Sequence, residues 1–177
     1  MKATMPLPFI NDMIKDVVIK YLDNLNISYE LFNHKPVSSI EECKQIEDYI
    51  GGRICKNLFL KTTNGKIKIL LIIDADKKFV TKDISKKLET SRLSFCSADE
   101  MIEYLNTVPG SLSIMSLIFD KDNSVDLAID KDVISDEFIY CHPCQNDATL
   151  KIKTKDVIET LIPSFNREYK IIQNQNH

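Results

Sequence analysis

The stretch Gly51-Gly52-Arg53-Ile54-Cys55-Lys56-Asn57-Leu58-Phe59-Leu60 is the part of the chain around which the other elements are arranged. It opens on paired glycines and runs into an apolar segment, which predicts a turn followed by a β-strand. Lys56 interrupts this segment with a positive charge. An ammonium group at the mouth of a strand is well placed to meet a phosphate or a polarised carbonyl, so we expect a binding site here.

The residues that follow predict a hairpin. Asn64-Gly65 separates two apolar runs, residues 55–63 and 66–74. A two-residue Asn-Gly connection is typical of a type I′ turn, in which both residues have positive φ. We therefore expect the first strand to pair with a second strand rich in isoleucine and leucine.

The rest of the chain predicts five helices and five further strands. Residues 113–119 fit a strand or a short helix equally well, since periodicity does not decide between them. The order of elements predicts an α+β fold, a mixed, largely antiparallel β-sheet flanked by helices, with neither a repeat nor a βαβ alternation. The expected helices are 13–25 capped by Asn11 or Asp12, 38–50 starting at Ser38 or Ser39, and 81–88 capped by Thr81. Two more are expected, 98–105 with a capping box of Ser97 and Glu100, and a last helix capped by Thr154 or Lys155 and broken at Pro163. The further strands are 28–34, 92–95, 124–130, 138–141 and 149–152.

Length and composition predict a single domain over residues 1–177. A chain of 177 residues buries roughly 70% of its unfolded surface, which is enough for a core without metal or disulfide. No apolar run approaches the ~18 residues of a membrane span, and no signal peptide is evident at the N-terminus. The five cysteines are odd in number and scattered, which is typical of a reducing compartment. We therefore expect a cytoplasmic protein without a membrane partner.

Charge is distributed unevenly. Residues 51–92 carry 11 Lys and Arg against 4 Asp and Glu, whereas residues 93–150 carry 2 against 11. One interpretation is that these are ordinary solvated surfaces; the other is that one basic face meets phosphates. A small basic face suits a compact polyanion, whereas a long DNA duplex would favour a basic whole domain, so DNA is not expected as a partner.

The most conspicuous local motif is Cys141-His142-Pro143-Cys144. In a redox protein such a C-x-x-C motif begins a helix, but the residues after Cys144 predict a turn into a strand. A structural zinc site needs four ligands, and no second C-x-x-C is present. The sequence also lacks the P-loop, dinucleotide-binding, zinc-protease and serine-hydrolase motifs, so these mechanisms and their cofactors are not expected.

Three residues remain as candidates for chemistry. Lys56 offers a point charge, Gly110 allows close approach of backbone amides to an ester oxygen, and His142 can orient a water or hold a ribose hydroxyl. Taken singly, each has an ordinary structural explanation as an exposed lysine, a turn glycine or a packed histidine. His34, at the end of a strand, is interpreted as structural. Together the three predict a site for acyl-ester hydrolysis without a protein nucleophile.

Several motifs, taken in order, resemble the YbaK/prolyl-tRNA synthetase editing-domain family. The resemblance covers about residues 14–172, and the ordered set is far more specific than any single piece. The motifs are Gly52 with Lys56-Asn57-Leu58-Phe59-Leu60, Arg92 to Phe95, Pro109-Gly110-Ser111-Leu112-Ser113, Asn123 to Asp130, His142-Pro143 with Asn146, Ala148 and Thr149, and upstream His34-Lys35-Pro36-Val37 with Glu41-Glu42.

This resemblance implies a freestanding deacylase of alanyl-tRNA(Pro) that uses no metal and no cofactor. Lys56 is then expected to contact the terminal adenosine or the ester, and His142 to line the pocket. The partner implied is the acceptor end of tRNA(Pro), and whether prolyl-tRNA synthetase delivers it stays open. Gly110 completes the implied catalytic set; the implied substrate-binding residues are Asn57, Ser111, Leu112, Ser113, Ile114 and Asn146.

Two positions depart from the family pattern. Ile114-Met115 stand where the glycine loop of the family continues to Pro-Phe, and Asn166-Arg167 stand in place of a Gly-His. The first difference affects the amino-acid pocket, where one methylene discriminates by only about 1–3 kcal/mol. Alternatives are a cysteinyl-tRNA(Pro) deacylase of the same family, a catalytically silent module that senses tRNA or an amino acid, and a thiol-redox protein that uses Cys141 and Cys144.

Overall fold

The computed structural model describes residues 7–37 and 40–175, which form two β-sheets with helices packed on them. None of the described helices is long and apolar enough to cross a membrane. The helices are α1 Leu7–Asn24, α2 Ile40–Ile50, α3 Thr81–Lys87, α4 Ala98–Leu105, α5 Lys131–Ser135, and a C-terminal helical segment made of α6 Thr154–Asp156, a π-helical turn Val157–Leu161 and α7 Ile162–Ser164; a 3₁₀ helix covers Ile114–Phe119. The strands are β1 Tyr29–Asn33, β2 Lys56–Thr62, β3 Lys68–Ile73, β4 Leu93–Phe95, β5 Val125–Asp130, β6 Phe138–Cys141, β7 Ala148–Lys153 and β8 Tyr169–Ile172.

The α+β class is confirmed, but the strands form two sheets where one was expected. Three strands pair antiparallel in the order β1-β7-β6, and five form a mixed sheet in the order β4-β2-β3-β5-β8. In the larger sheet β3, β5 and β8 run parallel, which the sequence did not indicate. The short elements between β3 and β5 concealed this crossover, because no single helix of ordinary length fills it.

The larger sheet separates two apolar layers. Along β2, Phe59 packs into the larger core with α1 and the 3₁₀ helix, whereas Leu58 and Leu60 face a smaller core under α3. This follows from the two-residue period of a strand. Lys56 has the same parity as Leu58, so it lies on the α3 face of the sheet.

Several local predictions are confirmed. The β2–β3 hairpin is antiparallel, with Lys56 opposite Ile73. The capping box is present, since Ser97 Oγ accepts from the Glu100 amide and the Glu100 carboxylate accepts from the Ser97 amide. The strand predicted at 138–141 coincides with β6.

Other boundaries were wrong for physical reasons. Helix α1 extends back to Leu7, so Asn11 and Asp12 are not its caps; Pro8 is tolerated in the first turn, where an N–H has no partner to lose. Val80, rather than Thr81, occupies the cap position of α3. The predicted cap at Ser38 or Ser39 lies outside the described residues.

The hairpin turn also differs from the prediction. Gly65 has positive φ, but Asn64 does not, so the turn is not type I′. Instead the Asn64 side-chain oxygen accepts from the Lys66 amide, which stabilises a wider loop.

The C-terminal part of the chain carries three further differences. The last helix has Lys153, rather than Thr154 or Lys155, at its cap position. Pro163 does not end that helix, because it lies in the first turn of α7 after the π-helical turn. Strand β8 and helix α5 were not predicted.

Candidate functional site

The two sheets meet where β2 begins and β6 ends. A parallel bridge joins Ile54 to Tyr140, and the Cys55 amide donates to the Tyr140 carbonyl at 3.5 Å. Lys56 and His142 each follow this bridge by two residues. Because Cys55 and Cys141 pack against the larger core, alternation turns the side chains of Lys56 and His142 to the opposite side. The fold therefore brings these two predicted residues to one end of the molecule.

The paired glycines make this junction sterically possible. A Cβ at Gly52 would lie 2.1 Å from the Tyr140 ring, so no larger residue fits without displacing the ring. The Tyr140 hydroxyl donates to the Gly51 carbonyl at 3.2 Å, and Gly51 has a φ of 71°. The end of α2 therefore packs against β6 and is hydrogen-bonded to it.

The Lys56 ammonium is held by the segment after β3. Its Nζ donates to the Lys77 carbonyl at 2.8 Å, and the side chain is exposed. Lys77 itself is buried and ion-paired with Asp130 and Asp132, at 2.9 and 2.6 Å. Burial alone would lower the pKa of Lys77, but the hydrogen bonds to Asp132 and Asp130 outweigh it and raise the pKa. The carbonyl that receives Lys56 is therefore anchored by a buried ion pair.

His142 is fixed in one tautomer. Its Nδ1 lies 3.0 Å from the Ala148 carbonyl, an acceptor, so Nδ1 carries the proton and Nε2 the lone pair. Burial lowers the pKa of His142, an effect that outweighs the hydrogen bond to Ala148. The imidazole is therefore neutral near pH 7, and Nε2, unpartnered among the described residues, can accept a proton from a hydroxyl group.

The glycine loop lies against the same segment. Gly110 has a φ of 88°, and a Cβ added there would lie 3.9 Å from the Asn146 side-chain nitrogen. Further along the loop, Ser113 Oγ donates to the His142 carbonyl at 2.6 Å. The structure thus brings Gly110, Ser113, His142 and Asn146 together.

Every second backbone amide of the glycine loop is hydrogen-bonded. The Ser111 amide donates to the Val108 carbonyl at 3.1 Å, and the Ser113 amide donates to Ser116 Oγ at 3.2 Å. The amides of Gly110 and Leu112 have no hydrogen-bond acceptor within the part of the chain that the structure describes. Two free N–H groups in one short loop can stabilise a developing oxyanion.

The other predicted site residues are hydrogen-bonded within the protein or buried. The Asn57 amide group donates to the Cys55 carbonyl at 3.0 Å, which leaves its oxygen for a ligand. Leu112 and Ile114 are buried in the larger core at 6% and 1% exposure. Of the five cavities described, none is lined by Lys56, Gly110 or His142.

His34 lies within electrostatic reach of His142 and was interpreted as structural. Both of its ring nitrogens are hydrogen-bonded, Nδ1 to the Lys35 carbonyl and Nε2 to the Thr149 hydroxyl, which confirms that interpretation. Sequence reasoning missed two polar side chains beside His142. Side-chain oxygens of Gln145 and Asp147 are buried without a partner among the described residues. Their place in the sequence, between His142 and Ala148, was the available signal.

The thiol environment does not support the redox alternative. All five cysteines are free, and Cys141 and Cys144 are buried. Burial raises the pKa of Cys144 to about 12 and also raises the pKa of Cys141, the reverse of what a reactive thiolate requires. Among the described residues, no group of three or more His, Cys, Asp or Glu side chains is placed to hold a metal ion.

The chain is similar in sequence to proteins of known family. Residues 34–160 match the model of the aminoacyl-tRNA editing domain. The prolyl-tRNA editing protein ProX of Acetoanaerobium sticklandii is 32% identical over 159 residues, covering 90% of this chain and 96% of that protein. The prolyl-tRNA synthetase associated domain-containing protein 1 of Danio rerio is 26% identical, covering 80% of this chain and 78% of that protein.

The fold also recurs among solved structures. A crystal structure described as a candidate trans-editing enzyme for prolyl-tRNA synthetase superimposes with a TM-score of 0.68. The match covers 90% of this chain and 96% of that one at 12% identity, which shows a shared fold.

Proposed function

The chain belongs to the aminoacyl-tRNA editing domain family, and on that premise we propose that it is a freestanding hydrolase that removes alanine from mischarged tRNA(Pro). We further propose that the editing domain spans the whole chain. The observation that carries this proposal is the pair of unengaged amides at Gly110 and Leu112, beside His142 and Asn146. Their donors suit an ester carbonyl that becomes an oxyanion when water attacks.

The other site residues have distinct roles in this reaction. Lys56 binds the terminal nucleotide or the ester through its ammonium group, and Asn57 supports the nucleotide through its free oxygen. Nε2 of His142 accepts a hydrogen bond from a ribose hydroxyl of the substrate, and this contact orients the ester. No side chain of the protein acts as nucleophile; the attacking water is assisted by the ribose hydroxyl of the substrate. The Ser111 to Ile114 segment forms the wall that excludes proline by size.

A panel of charged tRNAs tests the reaction and its specificity. Purified protein is incubated with alanyl-, cysteinyl- and prolyl-tRNA(Pro), and release of the amino acid is followed. We expect rapid hydrolysis of the alanyl ester and at least tenfold slower hydrolysis of the prolyl ester. Preferential hydrolysis of cysteinyl-tRNA(Pro) would transfer the assignment to that substrate. Retained tRNA binding without any hydrolysis would identify a silent sensing module and contradict the proposal.

The lowered pKa of His142 predicts a specific pH dependence. Because the neutral imidazole is the required form, kcat/KM for alanyl-tRNA(Pro) should stay level as the pH falls to about 6.5, the ordinary histidine value, and decline only below it. The measurement is a pH profile corrected for uncatalysed ester hydrolysis. The control is His142→Asn, which keeps a side-chain donor and should lose the acidic decline. A wild-type rate already halved above pH 6.5 would contradict the assignment.

A further inference from the structure

Three of the basic residues in the stretch 51–92 line one cavity. Of the 11 Lys and Arg residues in this stretch, three are ion-paired within the described residues, namely Arg53, Lys61 and Lys77. Lys56 and Lys68 donate to backbone carbonyls. The six that remain are Lys66, Lys78, Lys82, Lys86, Lys87 and Arg92.

Three of these six cations line one cavity of about 500 Å³. Lys82 and Lys86 lie one turn apart on α3, and Arg92 faces them from the segment before β4. All three are exposed, and none of their side chains makes an ion pair or hydrogen bond among the described residues. The two carboxylates of this region, Asp83 and Glu89, do not line the cavity.

Three hydroxyl-bearing residues also line the cavity, although the Ser85 hydroxyl already donates to the Thr81 carbonyl at 2.7 Å. Thr81, Ser85 and Thr90 complete its lining. The Thr90 hydroxyl is buried and has no hydrogen-bond partner among the described residues, although a buried hydroxyl is normally satisfied. Because this oxygen is buried, it reaches an oxygen of a bound ligand only when the Thr90 side chain turns toward the cavity.

The position of the cavity relates it to the proposed reaction site. Helix α3 packs on the sheet face that carries Lys56, because Ile84 and Leu88 share one core with Leu58 and Leu60. Arg92 lies beside Thr63, because the Thr63 amide donates to the Arg92 carbonyl. Phe79, which precedes α3, packs against Phe95, and Phe95 pairs with Leu60 of β2. The cavity thus lies four to seven residues along β2 from Lys56, roughly 13 to 23 Å away.

From these observations we propose that the cavity lined by Lys82, Lys86 and Arg92 binds backbone phosphates of the acceptor stem of the tRNA. This inference rests on the proposed function, since it places the 3′ end at Lys56. At the ~3.4 Å per phosphate of a stacked duplex strand, the cavity meets the nucleic acid at most about four to seven phosphates from the 3′ end, and fewer where the strand is extended. It therefore contacts the acceptor stem rather than the terminal nucleotide.

The test compares substrates of different length. Alanyl esters of the CCA trinucleotide, of an acceptor-stem minihelix and of full-length tRNA(Pro) are assayed with wild type and with Lys82→Gln/Lys86→Gln/Arg92→Gln. We expect KM to rise about tenfold for the minihelix and the full tRNA, with kcat unchanged and with hydrolysis of the trinucleotide ester unaffected. The slope of log KM against log salt should weaken by about two to three, since three phosphate contacts are lost and each removes about 0.7–0.9 of slope.

The matched control is Lys20→Gln/Lys121→Gln/Lys153→Gln, which removes equal charge outside the β2–β4 region. Equal behaviour of the two triple variants on every substrate would overturn the inference. A loss on the trinucleotide as large as that on the tRNA would also overturn it, because the defect would then lie at the reaction site. Should wild type hydrolyse nothing, the proposed function fails, and the salt dependence of uncharged tRNA binding then decides the inference by itself.

Discussion

Lys56→Ala is expected to lower kcat/KM for alanyl-tRNA(Pro) by about 10²- to 10³-fold, the loss typical when one group that stabilises developing charge is removed. The ammonium is exposed, and its one described contact is the Lys77 carbonyl. Removing it should change the free energy of unfolding by less than about 0.5 kcal/mol, as for other surface substitutions. The measurement is steady-state hydrolysis by both proteins, with thermal unfolding recorded in parallel.

Two further variants define what this loss means. Lys66→Ala removes an exposed lysine from the β2–β3 loop and should leave the rate unchanged. Lys56→Arg retains the charge but replaces a compact point charge with a planar group, so we expect partial activity. If Lys56→Ala hydrolyses alanyl-tRNA(Pro) at the wild-type rate, the assignment of Lys56 to the site is wrong. The assignment of the glycine-loop amides would not be affected.

The local parts of this site were predictable because their signals are local. Capping at Ser97 depends on a residue three positions away, and strand β6 is an apolar run bounded by polar residues. The proximity of Gly110 and Asn146 was predicted only from the resemblance to a family, because the two residues are 36 positions apart in the sequence. The bridge between Ile54 and Tyr140 has no pattern of its own, so the way Lys56 approaches His142 required the fold.

Long-range pairing explains what sequence reasoning could not supply. Strand β8 is exposed at Lys170 and Ile171, so it shows no alternation that would mark a strand. Lys77 and Lys78 are adjacent and chemically identical, yet one is buried and the other exposed. What distinguishes them is Asp130, 53 residues further on, and composition alone could not indicate that partner.

Breaking the Lys77–Asp130 pair is expected to have the largest effect on stability among the interactions around the site. Lys77→Met leaves the fully buried Asp130 carboxylate without its cation, and losing one partner of a buried pair costs about 3–5 kcal/mol. Urea unfolding should therefore show a lower midpoint with an unchanged slope. Lys78→Met is the matched control, since it makes the same change at the exposed neighbouring position and should have little effect.

The double variant Lys77→Met/Asp130→Asn separates lost charge pairing from lost packing. The Asp130→Asn change retains a side-chain oxygen to cap α5, where Asp130 now accepts from the Asp132 amide, but removes the buried charge. The double variant should therefore regain stability relative to Lys77→Met, because the uncompensated carboxylate is the main cost. If it is no more stable than Lys77→Met, the loss comes from packing of the lysine stem. Because the Lys77 carbonyl holds the Lys56 ammonium, recovery of stability without recovery of hydrolysis would indicate that this segment must also be positioned for the reaction.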